Sequence, residues 1–354
     1  MYRNTYAEIN LKNIEYNVKT LIKYLNNYKY YFGVVKADCY GHNDIKTINA
    51  IINGGVNYLC VATLDEALYI REYVKNIPIL CLGIIDIKYL AICVENNITI
   101  TINSLNYLNK VINEMVSNLK VHVKINTGMN RLGVKSSDEL NVIHKIISDS
   151  NLILEGIYTH IHSPLNKNLT KKQISVFEKI TSNIDIKEIP IIHITASDAS
   201  IESNKLPYVN GCRLGIGMYG LMESKKINLL STFTLYSEII QINDIINECV
   251  GYNAKYKARG KEKIAVVSIG YADGIIRKNT GRYVYINEKK YKIVGNICMD
   301  MLFVRVDETV KVGDKVVIIK DIKHIRDIAK HLDTIPYEII CSIGKRVPRI
   351  YVNN

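Results

Sequence analysis

Tyr31-Phe32-Gly33-Val34-Val35-Lys36-Ala37-Asp38-Cys39-Tyr40-Gly41-His42 is the stretch on which the reading of the chain turns. Its first five residues are apolar, β-branched or aromatic and are bounded by polar residues, the mark of a buried strand. Lys36 stands at the C-terminal edge of that strand. A lysine just past an apolar strand loses part of its hydration, which favours the free amine, and a free amine attacks carbonyls. Lys36 is therefore a candidate Schiff-base lysine. The same position also suits a lysine that merely snorkels out of a strand end, so the decision falls to the rest of the chain.

Working outward, strand signals recur at 31–37, 58–62, 78–83, 98–102, 121–126, 154–161, 191–195 and 209–214. Helix-length amphipathic stretches separate most of them, among them Asp44 to Asn53, Thr63 to Val74 and Thr170 to Ile184. Thr63 reads as an N-cap, with Glu66 completing a capping box. Eight strands alternating with helices, and no Gly-rich dinucleotide turn after the first strand, predict an α/β fold: a (β/α)8 TIM-like barrel rather than a doubly wound sheet. Function in such a barrel sits at the C-terminal ends of the strands, where Lys36 lies. A short strand at Tyr6–Leu11 and a helix from Leu11 to about Leu25 precede the barrel.

The texture changes near residue 225. Strand signals follow with few helices, at 231–242, 263–269, 282–286, 291–297, 302–306 and 315–319, then a short helix at about 322–331 and two closing strands. The expected organisation is an N-terminal strand at 1–11, the barrel at 12–225 and a mainly-β C-terminal domain at 226–354.

The chain has 354 residues and a net charge of +12. Its lysines are spread along it without a long basic run, which speaks against a nucleic-acid or membrane footprint. The eight cysteines lie far apart and form no CxxC pair, the pattern of reduced thiols rather than of a disulfide framework or a zinc site. The N-terminus opens no apolar signal region, and no stretch approaches ~18 uninterrupted apolar residues. A cytoplasmic location is expected.

The strand ends carry the candidate chemistry. Lys124-Ile125-Asn126-Thr127-Gly128-Met129-Asn130-Arg131-Leu132-Gly133 follows the fifth strand, and Arg131 offers a planar fork for a carboxylate or a phosphate. His160 follows the sixth without a cluster of cysteines or carboxylates, which argues against a metal. His193-Ile194-Thr195-Ala196-Ser197 and Arg213-Leu214-Gly215-Ile216-Gly217 follow the seventh and eighth, where barrels commonly cradle phosphate. Small residues such as Ser197 and Gly215 let backbone N–H groups approach an anion. An amine, a phosphate cradle and an arginine in reach of a ring point to pyridoxal phosphate.

These motifs carry a resemblance. Val35-Lys36-Ala37-Asp38-Cys39-Tyr40-Gly41-His42 is close to the V-K-A-N-A-Y-G-H signature of the alanine racemases, the fold-type III pyridoxal-phosphate enzymes. Thr127–Gly133, Met218-Tyr219-Gly220-Leu221, Gly270-Tyr271-Ala272-Asp273-Gly274 and Cys298-Met299-Asp300 are similar to other motifs of that family, and the resemblance runs essentially end to end. It implies that Lys36 bonds pyridoxal 5'-phosphate and acts as base on one face of the substrate. Tyr252 is then the base on the other face, supplied by the second subunit of a head-to-tail homodimer. Arg213 faces the pyridine nitrogen, with His160 behind it orienting that arginine or Tyr252. Tyr40, Ser197, Gly215 and Ile216 hold the phosphate. Arg131 and the backbone at Met299 hold the substrate carboxylate, and Lys124 matches a lysine that is often carbamylated and positions the arginine. Tyr271 and Asp300 line the entrance.

The implied activity is interconversion of L- and D-alanine, which supplies D-alanine for peptidoglycan. Two departures bear on the substrate: Ala196 stands where the family has Asn, and Lys345 where it has a tyrosine touching the phosphate. Racemisation of serine or of a longer or acidic amino acid stays open, as does the barrel-type pyridoxal-phosphate decarboxylase. A non-enzymatic pyridoxal-phosphate-binding regulator would leave Tyr252 idle.

Overall fold

The computed structural model describes residues 2–202 and 204–353. Eight parallel strands, Tyr30–Val34, Tyr58–Val61, Ile79–Cys81, Ile98–Ile102, Lys120–Lys124, Ile153–Tyr158, Ile191–Ala196 and Gly211–Leu214, close into a barrel. Closure is made where Tyr30 to Gly33 pair with Gly211 to Leu214. Phe32, Val34, Tyr58, Cys60, Leu80 and Ile191 form an apolar cluster of their own.

Local chemistry sets several boundaries as expected. The helix Leu64–Tyr73 begins at the capping box, in which the Glu66 N–H donates to Thr63 Oγ1 at 3.3 Å and the Thr63 N–H returns the bond to Glu66 Oε2, also at 3.3 Å. The helix Leu11–Tyr24 starts where Asn10 Oδ1 accepts from the Asn13 N–H.

The deciding stretch departs from expectation. The first strand stops at Val34 rather than running to 37. Ala37, Asp38, Cys39 and Tyr40 all take the left-handed conformation, with φ of 52, 52, 53 and 54°. Such a backbone costs roughly 1–2 kcal/mol per non-glycine residue, so neighbours must hold it in place. The Ala37 N–H donates to Glu66 Oε1 at 2.7 Å, the Gly41 N–H to the Ala37 carbonyl at 3.0 Å, and the Asn43 N–H to the Asp38 carbonyl at 2.7 Å. Gly41, at φ 80°, is pressed so close to the helix Pro336–Cys341 that a Cβ would lie 2.5 Å from the Ile340 carbonyl oxygen. His42 is buried beyond the turn, its Nε2 2.7 Å from Thr232 Oγ1.

Eight further strands form a second sheet in the order 261–267, 302–306, 289–294, 283–286, 315–319, 233–246, 6–10 and 349–352, and 249–250 pairs with 256–257 apart from it. Tyr6–Asn10 lies antiparallel to Phe233–Ile246 and parallel to Arg349–Val352, so the first strand of the chain belongs to this sheet. One closing element differs from expectation. Instead of two strands after the helix Ile322–Leu332, a second helix, Pro336–Cys341, precedes a single strand, Arg349–Val352. Pro336 at its first turn explains the switch, because proline favours a helix start and cannot donate within a sheet.

Candidate active site

Lys36 is half-buried at the start of the left-handed turn. Four residues on, the same turn ends in Tyr40, whose hydroxyl lies 3.6 Å from where a Gly215 Cβ would stand. The Gly215 N–H donates to the buried Ser197 Oγ at 2.9 Å. Tyr40, Ser197 and Gly215 therefore meet, and half-buried Ile216 adjoins them in the chain. Burial pushes the Tyr40 phenol well up, so it donates rather than ionises.

Arg213 stands two residues before Gly215 and is buried. Its Nη1 donates to His193 Nδ1 at 2.6 Å and to the His193 carbonyl at 3.0 Å. Its Nη2 donates to the Thr159 carbonyl at 2.7 Å, to His160 Nδ1 at 3.3 Å and to the Ile194 carbonyl at 3.4 Å. Nε makes no hydrogen bond among the described residues. His160 thus contacts the arginine, and burial, with Arg213 beside it, holds its imidazole neutral at about 3. Lys124 is buried with its Nζ 4.8 Å from the Tyr158 ring centroid, while the Arg213 guanidinium is 5.6 Å from the same centroid. Burial first, then Arg213 and Arg131, push the Lys124 amine far below the ordinary lysine range. Arg131 itself is exposed.

The second sheet gathers the other predicted residues. The Tyr271 N–H donates to the Cys298 carbonyl and the Ala272 N–H to the Met299 carbonyl, both at 3.0 Å, which ties the Tyr271 turn to Cys298 and Met299. Asn296 Nδ2 donates to the Tyr252 carbonyl at 2.9 Å. Tyr252 is 67% exposed and Met299 52%. No hydrogen bond or ion pair among the described residues joins the Tyr252, Tyr271 or Met299 side chains to the barrel residues above. Asp300 pairs with Arg346 at 2.7 Å. Lys345 is exposed next to it and makes no ion pair among the described residues.

Residues without an expected role also belong here. Glu66 reads from the sequence as a cap, yet it bonds the turn that carries Lys36. His122 and Glu155 extend the surroundings of His193. His122 is two residues before Lys124, and strand positions two apart share a face, so parity was the signal that could have found it.

A closed barrel that brings Tyr40, Ser197 and Gly215 together beside a buried guanidinium, joined to a sheet that holds the first strand of the chain, defines a two-part barrel protein. Residues 9–223 match the family model described as alanine racemase, N-terminal domain, and residues 232–351 the one described as alanine racemase, C-terminal domain. Alanine racemase 1 of Bacillus subtilis is 35% identical over 368 residues, which cover 100% of this chain and 94% of that protein. The crystal structure of alanine racemase from E. faecalis superposes with a TM-score of 0.94 at 31% identity, covering 99% of each chain. That of the Bacillus anthracis enzyme with bound L-Ala-P gives 0.93 at 30% identity, covering 100% of this chain and 96% of the other. A histidine racemase from Leuconostoc mesenteroides, at 24% identity and a TM-score of 0.89 over 99% of each chain, shares the fold. The chain belongs to the alanine racemase family and is an isomerase, a racemase. No helix among the described residues is long and apolar enough to cross a membrane.

Proposed function

We propose that this racemase interconverts L- and D-alanine with pyridoxal 5'-phosphate, in a homodimer whose sites are shared between subunits. The observation that carries the reading is the meeting of Tyr40, Ser197 and Gly215 within one turn of Lys36 and two residues from Arg213. The residues fit the cofactor. The cradle offers a hydroxyl, a phenol and backbone N–H groups for phosphate, and Arg213 keeps one donor, Nε, for the ring nitrogen. A permanently cationic partner there disfavours protonation of that nitrogen. Lys36 is the amine that holds the aldehyde carbon. When bound, the cofactor supplies the electron sink that makes the substrate Cα–H acidic.

Racemisation takes a proton from one face of Cα and returns one to the other, so two groups on opposite faces are the minimum. Lys36 Nζ serves one face. Tyr252 Oη serves the other, in the site of a second copy of the chain, which its exposure together with Tyr271 and Met299 supports. Arg131 and the Met299 backbone hold the substrate carboxylate, and Tyr271 and Asp300 line the approach. On this reading residues 12–225 bind the cofactor, while 226–354 with the strand at 1–11 present Tyr252. The physiological role we assign is D-alanine supply for peptidoglycan, in the cytoplasm.

A panel of L-amino acids in deuterated water tests the substrate. D-alanine forms fastest, with deuterium at Cα. Faster turnover of serine or of an acidic amino acid would transfer the assignment to that substrate and to Lys345, and release of carbon dioxide without epimerisation would select a decarboxylase.

Lys124 yields a second expectation. A neutral amine beside two guanidiniums can add to carbon dioxide, its nitrogen bonding the carbon as a proton leaves to solvent, and the resulting carbamate pairs with Arg131. Enzyme equilibrated with ¹³C-labelled carbon dioxide shows a carbamate resonance that Lys124→Ala lacks, and the same variant weakens alanine binding by about tenfold. An unchanged spectrum in the variant places the carbamate elsewhere.

A further inference from the structure

Arg213 is a buried cation with no carboxylate in contact among the described residues; its bonds end on carbonyl oxygens and imidazole nitrogens. The nearest anion along its hydrogen bonds stands two imidazoles away. His193 Nε2 is 3.0 Å from His122 Nδ1, and His122 Nε2 is 3.1 Å from Glu155 Oε2.

The polarity of this chain is forced. A guanidinium only donates, so His193 Nδ1 carries a lone pair and the ring proton sits on Nε2. That proton is given to His122 Nδ1, which leaves the His122 proton on Nε2, donated to Glu155. Burial pushes both imidazoles down and keeps them neutral. Burial pushes the Glu155 carboxyl up, but hydrogen bonds from His122, Tyr58 and Thr99 outweigh it and hold the group at about 2. The Tyr58 and Thr99 hydroxyls lie 2.6 and 3.0 Å from Glu155 Oε2, and Lys120 Nζ lies 4.0 Å from Oε1.

The rings sit in built seats. His193 stacks on Phe32 at 4.4 Å and on Tyr158 at 4.7 Å between centroids. His122 fills space that only glycine leaves at position 156, where a Cβ would lie 2.6 Å from His122 Cε1.

We propose that Glu155, His122 and His193 form one positioning relay that fixes Arg213 from within the barrel. The carboxylate sets the direction of each hydrogen bond and supplies the countercharge of the guanidinium. Without it, His193 can carry its proton on Nδ1, two N–H groups face each other at Arg213, and the arginine shifts. The catalytic consequence rests on Arg213 serving the ring nitrogen as proposed above; the tautomers do not depend on it.

The test reads the ring nitrogens of ¹⁵N-histidine-labelled holoenzyme by NMR together with kinetics. In the wild type both rings are Nε2–H tautomers. Glu155→Leu removes acceptor and charge, brings the second tautomer into both rings and lowers kcat about tenfold or more, while KM stays within about twofold because Arg213 does not bind the substrate carboxylate. Glu155→Gln keeps the acceptor, retains the tautomers and lowers kcat by about threefold. If the leucine variant does not fold, the wild type and the glutamine variant decide. A wild-type His193 protonated on Nδ1, tautomers unmoved in Glu155→Leu, or an unchanged kcat in Glu155→Gln overturns the relay. Tautomers as expected in a protein that racemises no amino acid would uphold the hydrogen-bond chain and sink the cofactor reading instead.

Discussion

Two variants expected to be inactive as homodimers, Lys36→Ala and Tyr252→Phe, should combine into an active heterodimer. In a two-fold dimer with shared sites, one site of that heterodimer has lost both bases and the other keeps both. Doubly tagged heterodimer purified away from the homodimers therefore shows about half the wild-type rate. Each homodimer alone is slower than wild type by about 10²- to 10⁴-fold, the usual worth of a positioned proton-transfer group. Few single measurements on this protein promise a larger contrast. The expectation follows from the placement of Tyr252: two-thirds exposed, on a loop tied through Asn296 to the second sheet, with no bond to the barrel mouth of its own chain among the described residues. A heterodimer no faster than its parents would put both bases in one subunit, or remove Tyr252 from the reaction. Colour separates these outcomes. Lys36→Ala loses the absorbance of the bound cofactor, while Tyr252→Phe stays yellow, so a colourless Tyr252→Phe protein would mean that its loss of rate reflects a missing cofactor.

Much of this architecture was legible because it rests on local periodicity. The strands Ile98–Ile102, Leu302–Val306 and Lys315–Ile319 are runs of apolar or alternating residues, and their limits match the pattern to the residue. The capping box at Thr63 and Glu66 was equally local. The turn after Val34 was not. Its left-handed backbone is imposed by Glu66, 29 residues away, and by Ile340, on a helix at the other end of the chain. No window around Lys36 contains either partner. Pro336–Cys341 misled for a related reason: its tyrosine, isoleucines and cysteine favour strands, and only the leading proline and the fit against Gly41 favour a helix. Of the candidate site residues, Lys36, Ser197 and Arg213 lie at or beside a strand end, which a local pattern marks. Glu155 could not be found that way, since it meets His122 across 33 residues and lies at no strand end.

The same buried imidazoles make the fold acid-labile. Burial holds His42 and His324 at about 4 and His160 at about 3, and lowers His122 and His193 as well. In the unfolded chain each titrates near ~6.5. Between that value and its folded value, the unfolded chain binds a proton that the native state refuses, so stability falls as pH falls. One such group changes stability by about 1.4 kcal/mol per pH unit, and five together approach ~7 kcal/mol per unit against a typical total of ~5–15 kcal/mol. The loss begins below about pH 6.5, and unfolding is complete within about two units below that. Glu155, held at about 2, acts later. Its contribution is fully present above the unfolded carboxylate value of about 4.5 and is lost as pH falls through its folded value. The interval from 6.5 to 4.5 therefore belongs to the histidines. Urea unfolding at half-unit steps of pH measures the slope, and His324→Gln, in the helix Ile322–Leu332 away from the barrel rim, lowers it by about one proton. A stability that stays level from pH 6.5 to 5 would mean that water reaches these rings in the native state, and the tautomer-locked chain behind Arg213 would lose its dry surroundings with them.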